Sequence, residues 1–213
     1  MTELKTRLRL YLVTDAFLCT TPDLVTTVRL AVANGVTMVQ LREKTATSAE
    51  RVQMALAIKE ALAGTGVPLV VNDDVAAAVA ADVDGAHIGQ GDMSTAKARA
   101  LLGPDKILGL SCETAQAVQA ADPALVDYLG LGPVFGTATK ADHAQPIGLD
   151  GLAQLVALSP LPNVAIGGLK SIHVSDVRES GADGMAVVSA ICGQTDPAAS
   201  ARAFGALKAE EIF

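Results

Sequence analysis

The sequence predicts an α/β protein built as a single (β/α)8 barrel over residues 1–213. Three observations predict it. Eight short runs are apolar at both parities, the mark of strands buried on both faces in a parallel sheet. The segments between them carry apolar residues at three- and four-residue intervals, the period of amphipathic helices. No Pro/Ser-rich linker and no low-complexity tail interrupts this alternation, so the units close on one another. An open doubly wound sheet is the rival architecture, but no Gly-x-Gly-x-x-Gly follows the first run.

The runs are taken in order. "RLYLVTD" (9–15) follows a charged N-terminal stretch whose apolar part is too short for a signal peptide. "VTMVQLREK" (36–44) ends in Gln40, Leu41, Arg42, Glu43 and Lys44. Thr47 and Glu50 then fit a capping box, opening a helix over "SAERVQMALAIKEALAG" (48–64). "VPLVVND" (67–73) runs into Asn72, Asp73 and Asp74, which read either as site residues or as a helix N-cap. "GAHIGQ" (85–90) contains His87, read as a satisfied core or rim residue. It leads to Asp92, which also reads as a cap for the helix beginning near Ser94. "KILGLSC" (106–112) ends in Ser111 and Cys112, the latter a small core filler, and is followed by Glu113. "DYLGLGPVF" (127–135) leads to Thr137, Ala138, Thr139 and Lys140. "NVAIGG" (163–168) ends in a tight glycine turn, Gly167–Gly168, and "GMAVVSA" (184–190) contains Ser189. "DVDG", "LVDY" and "GADG" precede the fourth, sixth and eighth runs, an echo that fits one unit repeated.

Composition narrows the chemistry. Half of the chain is hydrophobic, yet Trp is absent and aromatics make 3%, so the core is aliphatic and platforms for stacking bases are excluded. A net charge of −7 and a pI near 4.9 exclude a general polyanion binder. Three cysteines, Cys19, Cys112 and Cys192, show no Cys-x-x-Cys spacing and fit a reduced compartment. No stretch approaches a transmembrane span. These observations lead us to expect a cytoplasmic protein without nucleic-acid or membrane partners. His143 and His173 sit at loop or helix-start positions without metal spacing, and the methionines are scattered as core filler.

Polar residues concentrate where the strands end, the face at which such barrels carry their chemistry. Cations and hydroxyls suit phosphate oxygens. A carboxylate pair on neighbouring loops suits Mg²⁺, which takes one or two carboxylates and completes its shell with phosphates and water. Backbone N–H groups after strands 7 and 8 suit a second phosphate. The mouth therefore reads as a site for two phosphorylated small molecules, one accompanied by metal.

"QLREK", "VVNDD", "HIGQGD", "GLS", "GPVFGTATK", "AIGG" and "AVVSAI" occur in the order and spacing of the thiamine phosphate synthases, and the chain resembles that family from about Tyr11 to its last helix. The resemblance implies a TIM barrel that joins an aminopyrimidine methyl diphosphate to a hydroxyethylthiazole phosphate, releasing pyrophosphate with Mg²⁺. It implies that Gln40, Arg42, Lys44 and Asn72, with Leu41 and Glu43 in the same stretch, bind the pyrimidine diphosphate. Asp73 and Asp92 would be the metal ligands, and Ser111 and Lys140 would also contact the pyrimidine substrate. Thr137, Ala138 and Thr139 would contact the thiazole, whose phosphate would be held by Gly168, Val188 and Ser189. Arg42, Lys44, Ser111 and Lys140 are the expected catalytic residues. Two positions depart from the family pattern: Glu113 where many members have His, and Gly136 where Pro is common.

Three rivals are weighed against this reading. A sister thiazole tautomerase needs neither second substrate nor metal. A generic phosphate-binding isomerase or aldolase needs a strong base or a strand-borne Schiff-base Lys. A non-catalytic ligand-binding paralogue needs neither the carboxylate pair nor cations for a leaving group.

Overall fold

The computed structural model describes residues 2–136 and 145–205; the expected site residues Thr137, Ala138, Thr139 and Lys140, together with His143, lie outside the described residues. The strands are β1 (Leu10–Val13), β2 (Met38–Leu41), β3 (Leu69–Asn72), β4 (Gly85–Ile88), β5 (Ile107–Cys112), β6 (Tyr128–Leu131), β7 (Asn163–Ile166) and β8 (Met185–Val187). Each falls inside one of the eight apolar runs. All neighbours pair in parallel, in sequence order, and β8 closes on β1. β8 stops short of its run, so Ser189 lies just past the strand and not within it.

Helix α1 (Thr2–Leu8) precedes the barrel. Between successive strands lie α2 (Leu24–Val32), α3 (Ser48–Ala61), α4 (Val75–Ala80), α5 (Thr95–Leu102), α6 (Ala115–Ala120), α7 (Gly148–Leu158) and α8 (Val174–Glu179), the last preceded by a 3₁₀ turn, Ser171–His173. α9 (Pro197–Arg202) follows β8. Short polar side chains set their starts. Asp23, Asp74, Ser94, Thr114 and Asp196 each accept a backbone N–H from the first turn of the helix they open. Thr47 and Glu50 form the reciprocal capping box that the sequence predicts for α3. α5 corrects one expectation: Ser94 is its cap, and Asp92 instead turns back to accept the Gly89 N–H at 2.8 Å.

The core divides into two layers. Leu8, Tyr11, Val13, Met38, Val70, Tyr128, Val164 and Ala186 fill the barrel interior. The alternate strand residues, among them Leu12, Leu41, Val71, Leu108 and Leu131, pack outward against the helices. This two-sided burial is why the strands read as continuously apolar.

The Asp-containing echo in the sequence has a structural cause. Thr37, Asp84, Asp127 and Asp183 each stand just before an even-numbered strand. Their backbone N–H groups donate to the carbonyls of Leu10, Leu69, Leu108 and Asn163 in the strand before, at 2.8, 2.9, 2.8 and 3.1 Å. Their side-chain oxygens accept the N–H groups of those same four residues at 3.0, 2.8, 2.7 and 2.9 Å. One residue thus serves both polar groups at the start of each odd-numbered strand, four times around the barrel floor. Lys5 and Arg99 pair with Asp183 and Asp127 at 2.9 and 2.7 Å.

Candidate active site

A cavity of about 450 Å³ opens at the C-terminal strand ends. Its wall is built by strand parity. Side chains that point inward near the top of each strand reach it: Gln40 from β2, Asn72 from β3, His87 from β4, Ser111 from β5 and Ile166 from β7. Arg42 and Lys44, just past β2, line it as well, as do Asp73, Asp92, Glu113, Gly168, Val188 and Ser189. The structure therefore brings together ten of the expected site residues: Gln40, Arg42, Lys44, Asn72, Asp73, Asp92, Ser111, Gly168, Val188 and Ser189.

Two others in the same stretch face elsewhere. Leu41, at the opposite parity to Gln40, is buried in the outer core, so only its backbone is near the mouth. The Glu43 carboxylate accepts the Thr45 N–H and hydroxyl at 3.1 and 3.0 Å, on an open groove that also carries residues of α3.

The "NDD" stretch serves both of its sequence readings, on different residues. Asp74 caps α4 and pairs with Arg51 at 3.1 Å, and Arg51 Nε also donates to the Glu43 carbonyl at 2.9 Å. Asp73 is left at the mouth. It is held in the left-handed region at φ 62°, where Asp is among the few residues that settle readily. Burial raises its carboxyl pKa to about 6, with the nearby Asp92 carboxylate adding to the rise and Asn72 and Arg42 opposing it. Two carboxylates from successive βα loops thus converge.

This pair fits a divalent cation. A positive charge between the two groups would relieve the repulsion that lifts Asp73. Among the described residues no cluster of three or more His, Cys, Asp or Glu side chains exists that could enclose a metal unaided. The remaining coordination would come from water and a phosphorylated ligand, the habit of Mg²⁺.

The cavity floor carries a buried polar chain. Gln40 Nε2 donates to Tyr11 Oη at 2.7 Å, and the Tyr11 and Tyr128 hydroxyls lie 2.8 Å apart. Tyr128 Oη is 2.9 Å from His87 Nδ1, and His87 Nε2 is 2.9 Å from Ser111 Oγ. Sequence reasoning passed over Tyr11 and Tyr128 and read His87 as a satisfied core or rim residue. A signal existed: these are the chain's only two tyrosines, both at inward-facing strand positions in an aromatic-poor core. Glycines on β5 and β6 make room for them. A Cβ on Gly109 would lie closer than 3.0 Å to Tyr128 and His87, and one on Gly130 would lie 3.2 Å from His87 Cε1.

On the opposite wall, Gly167 and Gly168 turn with φ of 106° and 63°. A Cβ on Gly168 would meet the Gly136 carbonyl at 2.6 Å and Phe135 at 2.8 Å, so neither the angle nor the space tolerates a side chain. Pairing continues past β6 here: Val134 and Phe135 donate to the carbonyls of Ile166 and Gly167 at 2.8 and 3.0 Å. Ile147 and Gly148 return to the carbonyls of Pro133 and Val134, both at 2.9 Å. The two ends of the segment carrying "GTATK" are thereby fixed beside the glycine turn.

Among the described residues that line the cavity there is no cysteine. Cys112 is buried, and burial pushes its thiol up to about 11 against the Gln90 amide beside it. Among the described residues no helix is long and apolar enough to cross a membrane.

Comparison with known proteins agrees with this geometry. The family model described as thiamine monophosphate synthase matches residues 10–191. The thiamine-phosphate synthase of Psychrobacter sp. (strain PRwf-1) is 52% identical over 193 residues, covering 89% of this chain and 90% of that protein. That of Xanthobacter autotrophicus (strain ATCC BAA-1158 / Py2) is 52% identical over 199 residues, covering 93% and 94%. The solved thiamine phosphate pyrophosphorylase of Pyrococcus furiosus superposes with a TM-score of 0.86 at 32% identity, covering 96% of each chain. The family model's match runs through every strand and every described wall of the mouth, and the chain belongs to the thiamine monophosphate synthase family.

Proposed function

We infer that this chain makes thiamine phosphate, as its relatives are named for doing, by joining a pyrimidinylmethyl diphosphate to a hydroxyethylthiazole phosphate with loss of pyrophosphate. The observation that carries the reading is the convergence of Asp73 and Asp92 with Arg42 and Lys44 in one cavity, opposite a glycine turn. An anion with its metal suits the first wall, and a second phosphate suits the other.

The chemistry asked of these residues is electrostatic. The bond between the pyrimidine methylene carbon and the diphosphate oxygen breaks, and the electron pair leaves with pyrophosphate. The thiazole nitrogen then gives its lone pair to the methylene carbon. No proton need move, so the step asks for cations around the leaving group and for no general base or nucleophile. Arg42 and Lys44, with Lys140 expected from the loop beyond Gly136, would stabilise the charge growing on the leaving group. Asp73 and Asp92 would hold Mg²⁺, which when bound supplies positive charge to the diphosphate oxygens. Gln40, Asn72 and Ser111 would hold the pyrimidine, and Gly168, Val188 and Ser189 the thiazole phosphate, so that the reacting atoms are kept close.

The test is to supply the two substrates separately and together with Mg²⁺ and to analyse products by mass. Thiamine phosphate should form only when both are present. Isomerisation of the thiazole substrate alone, with no thiamine phosphate from the pair, would favour a tautomerase.

A further inference from the structure

We propose that Tyr11, Tyr128 and His87 are positioning residues, forming a one-way hydrogen-bond relay that leaves a hydroxyl donor at Ser111 and an amide oxygen acceptor at Gln40. The proposal rests on the preceding reading in one respect: the substrate's aminopyrimidine ring is taken to lie between Gln40 and Ser111, both of which line the cavity.

The direction follows from counting hydrogens. Gln40 Nε2 is a donor, so Tyr11 Oη accepts from it. The Tyr11 hydroxyl has one hydrogen, which passes along the 2.8 Å contact to Tyr128 Oη. Tyr128 has by then accepted once, and its own hydrogen goes to His87 Nδ1 at 2.9 Å. With Nδ1 accepting, the neutral ring carries its hydrogen on Nε2 and donates to Ser111 Oγ at 2.9 Å. The Ser111 hydroxyl hydrogen then points away from His87. Any other order would leave one buried tyrosine hydroxyl hydrogen without an acceptor in the chain.

Both tyrosines are fully buried, and burial raises their pKa values well above the ordinary range, so the relay keeps its hydrogens at neutral pH. Gly109 and Gly130 leave the space that His87 and Tyr128 occupy, so these contacts are built into the strands.

The relay therefore leaves a defined group at each end. Ser111 offers a hydroxyl donor. One hydrogen of the Gln40 amide is taken by Tyr11, and the amide keeps its oxygen as an acceptor beside one remaining N–H. A 4-aminopyrimidine edge presents the complement: an amine N–H for Gln40 and a ring nitrogen for Ser111. A 4-oxopyrimidine edge presents an oxygen and a ring N–H, the reverse pattern. The oxo pattern would have to use the second Gln40 N–H and the second Ser111 lone pair, so the relay favours the amine pattern without closing the site to the other.

Two measurements test the relay. The first is ¹⁵N NMR of the histidine rings in the protein alone, which reads the tautomer directly and needs no activity. His87 should carry hydrogen on Nε2 and none on Nδ1; the opposite tautomer overturns the proposal. The second is Tyr128→Phe, which cuts the relay at its centre and keeps the ring. The KM for the pyrimidine diphosphate should rise by about tenfold to 100-fold with the KM for the thiazole phosphate unchanged. Equal shifts in both, or a shift in neither, overturn the proposal. If the variant does not fold, the wild-type tautomer decides. Wild-type protein that makes no thiamine phosphate would defeat the functional reading, and the tautomer result would still judge the relay.

Discussion

Gly109 is the position at which a single methyl group should do most harm. It faces into the barrel beneath the cavity, in register with His87 on one side and Tyr128 on the other. A Cβ there would sit closer than 3.0 Å to the Tyr128 ring and hydroxyl and to His87 Nδ1. None of these is the far end of a flexible chain, because both rings are held by hydrogen bonds at 2.8 and 2.9 Å. Overpacking a rigid core costs about 1–3 kcal/mol. Displacing His87 from Tyr128 leaves a buried polar group without its partner, at roughly 1–3 kcal/mol more. A combined loss near the middle of that range, about 4 kcal/mol, lowers the Tm of a chain this size by roughly 8–16 °C. The assay is thermal unfolding of Gly109→Ala beside Gly91→Ala, a control glycine whose Cβ would meet nothing within 4 Å. If Gly109→Ala melts within about 2 °C of the parent, the packing argument for the floor is wrong.

Four further outcomes are expected. In metal-free protein, the raised Asp73 pKa means that its charged form is disfavoured on folding, so the Asp73 contribution to stability, read against Asp73→Asn, should fall as pH rises from 3.8 through about 6. Asp73→Asn, which also suits the left-handed backbone, should flatten that dependence and remove the rise in Tm on adding Mg²⁺, both read by thermal melts. Asp127→Ala removes the acceptor for the Leu108 N–H and the partner of Arg99, and should cost about 1–3 kcal/mol in urea unfolding without altering KM. Lys140→Ala should lower kcat by roughly 10²-fold or more, with Lys140→Arg restoring part of it, because a planar fork does not replace a point charge. Glu113 lines the cavity where sister tautomerases are expected to use His, whose imidazole titrates near neutrality. The chain should therefore isomerise the thiazole carboxylate phosphate poorly when assayed without the pyrimidine diphosphate.

The strands were legible because two-sided burial leaves continuous apolar runs, and the polar mouth was legible because charge collects only at their ends. The start of α3 was readable from Thr47 and Glu50, since a capping box is local. Asp92 shows the limit of local reasoning. Asp is a good cap by composition, but Ser94 lies at the position from which a side chain reaches the Lys97 N–H. The relay was illegible for a different reason. Tyr11 and Tyr128 are 117 residues apart and meet only because the barrel closes. A buried aliphatic residue and a buried tyrosine look alike in an apolar run, and only the hydroxyl's partners tell them apart. The Asp84, Asp127 and Asp183 echo was visible, but its meaning needed the register between neighbouring strands.

The proposed reaction requires one mouth to bring together two phosphorylated partners, with a metal ion that Asp73 and Asp92 would hold. It is tested most directly by ³¹P NMR of the purified protein with both substrates, run once with Mg²⁺ and once with excess chelator. One pyrophosphate should form for each thiamine phosphate with Mg²⁺, and neither product with chelator. Full turnover in chelator would contradict the metal assignment, and no thiamine phosphate under either condition would contradict the reaction itself.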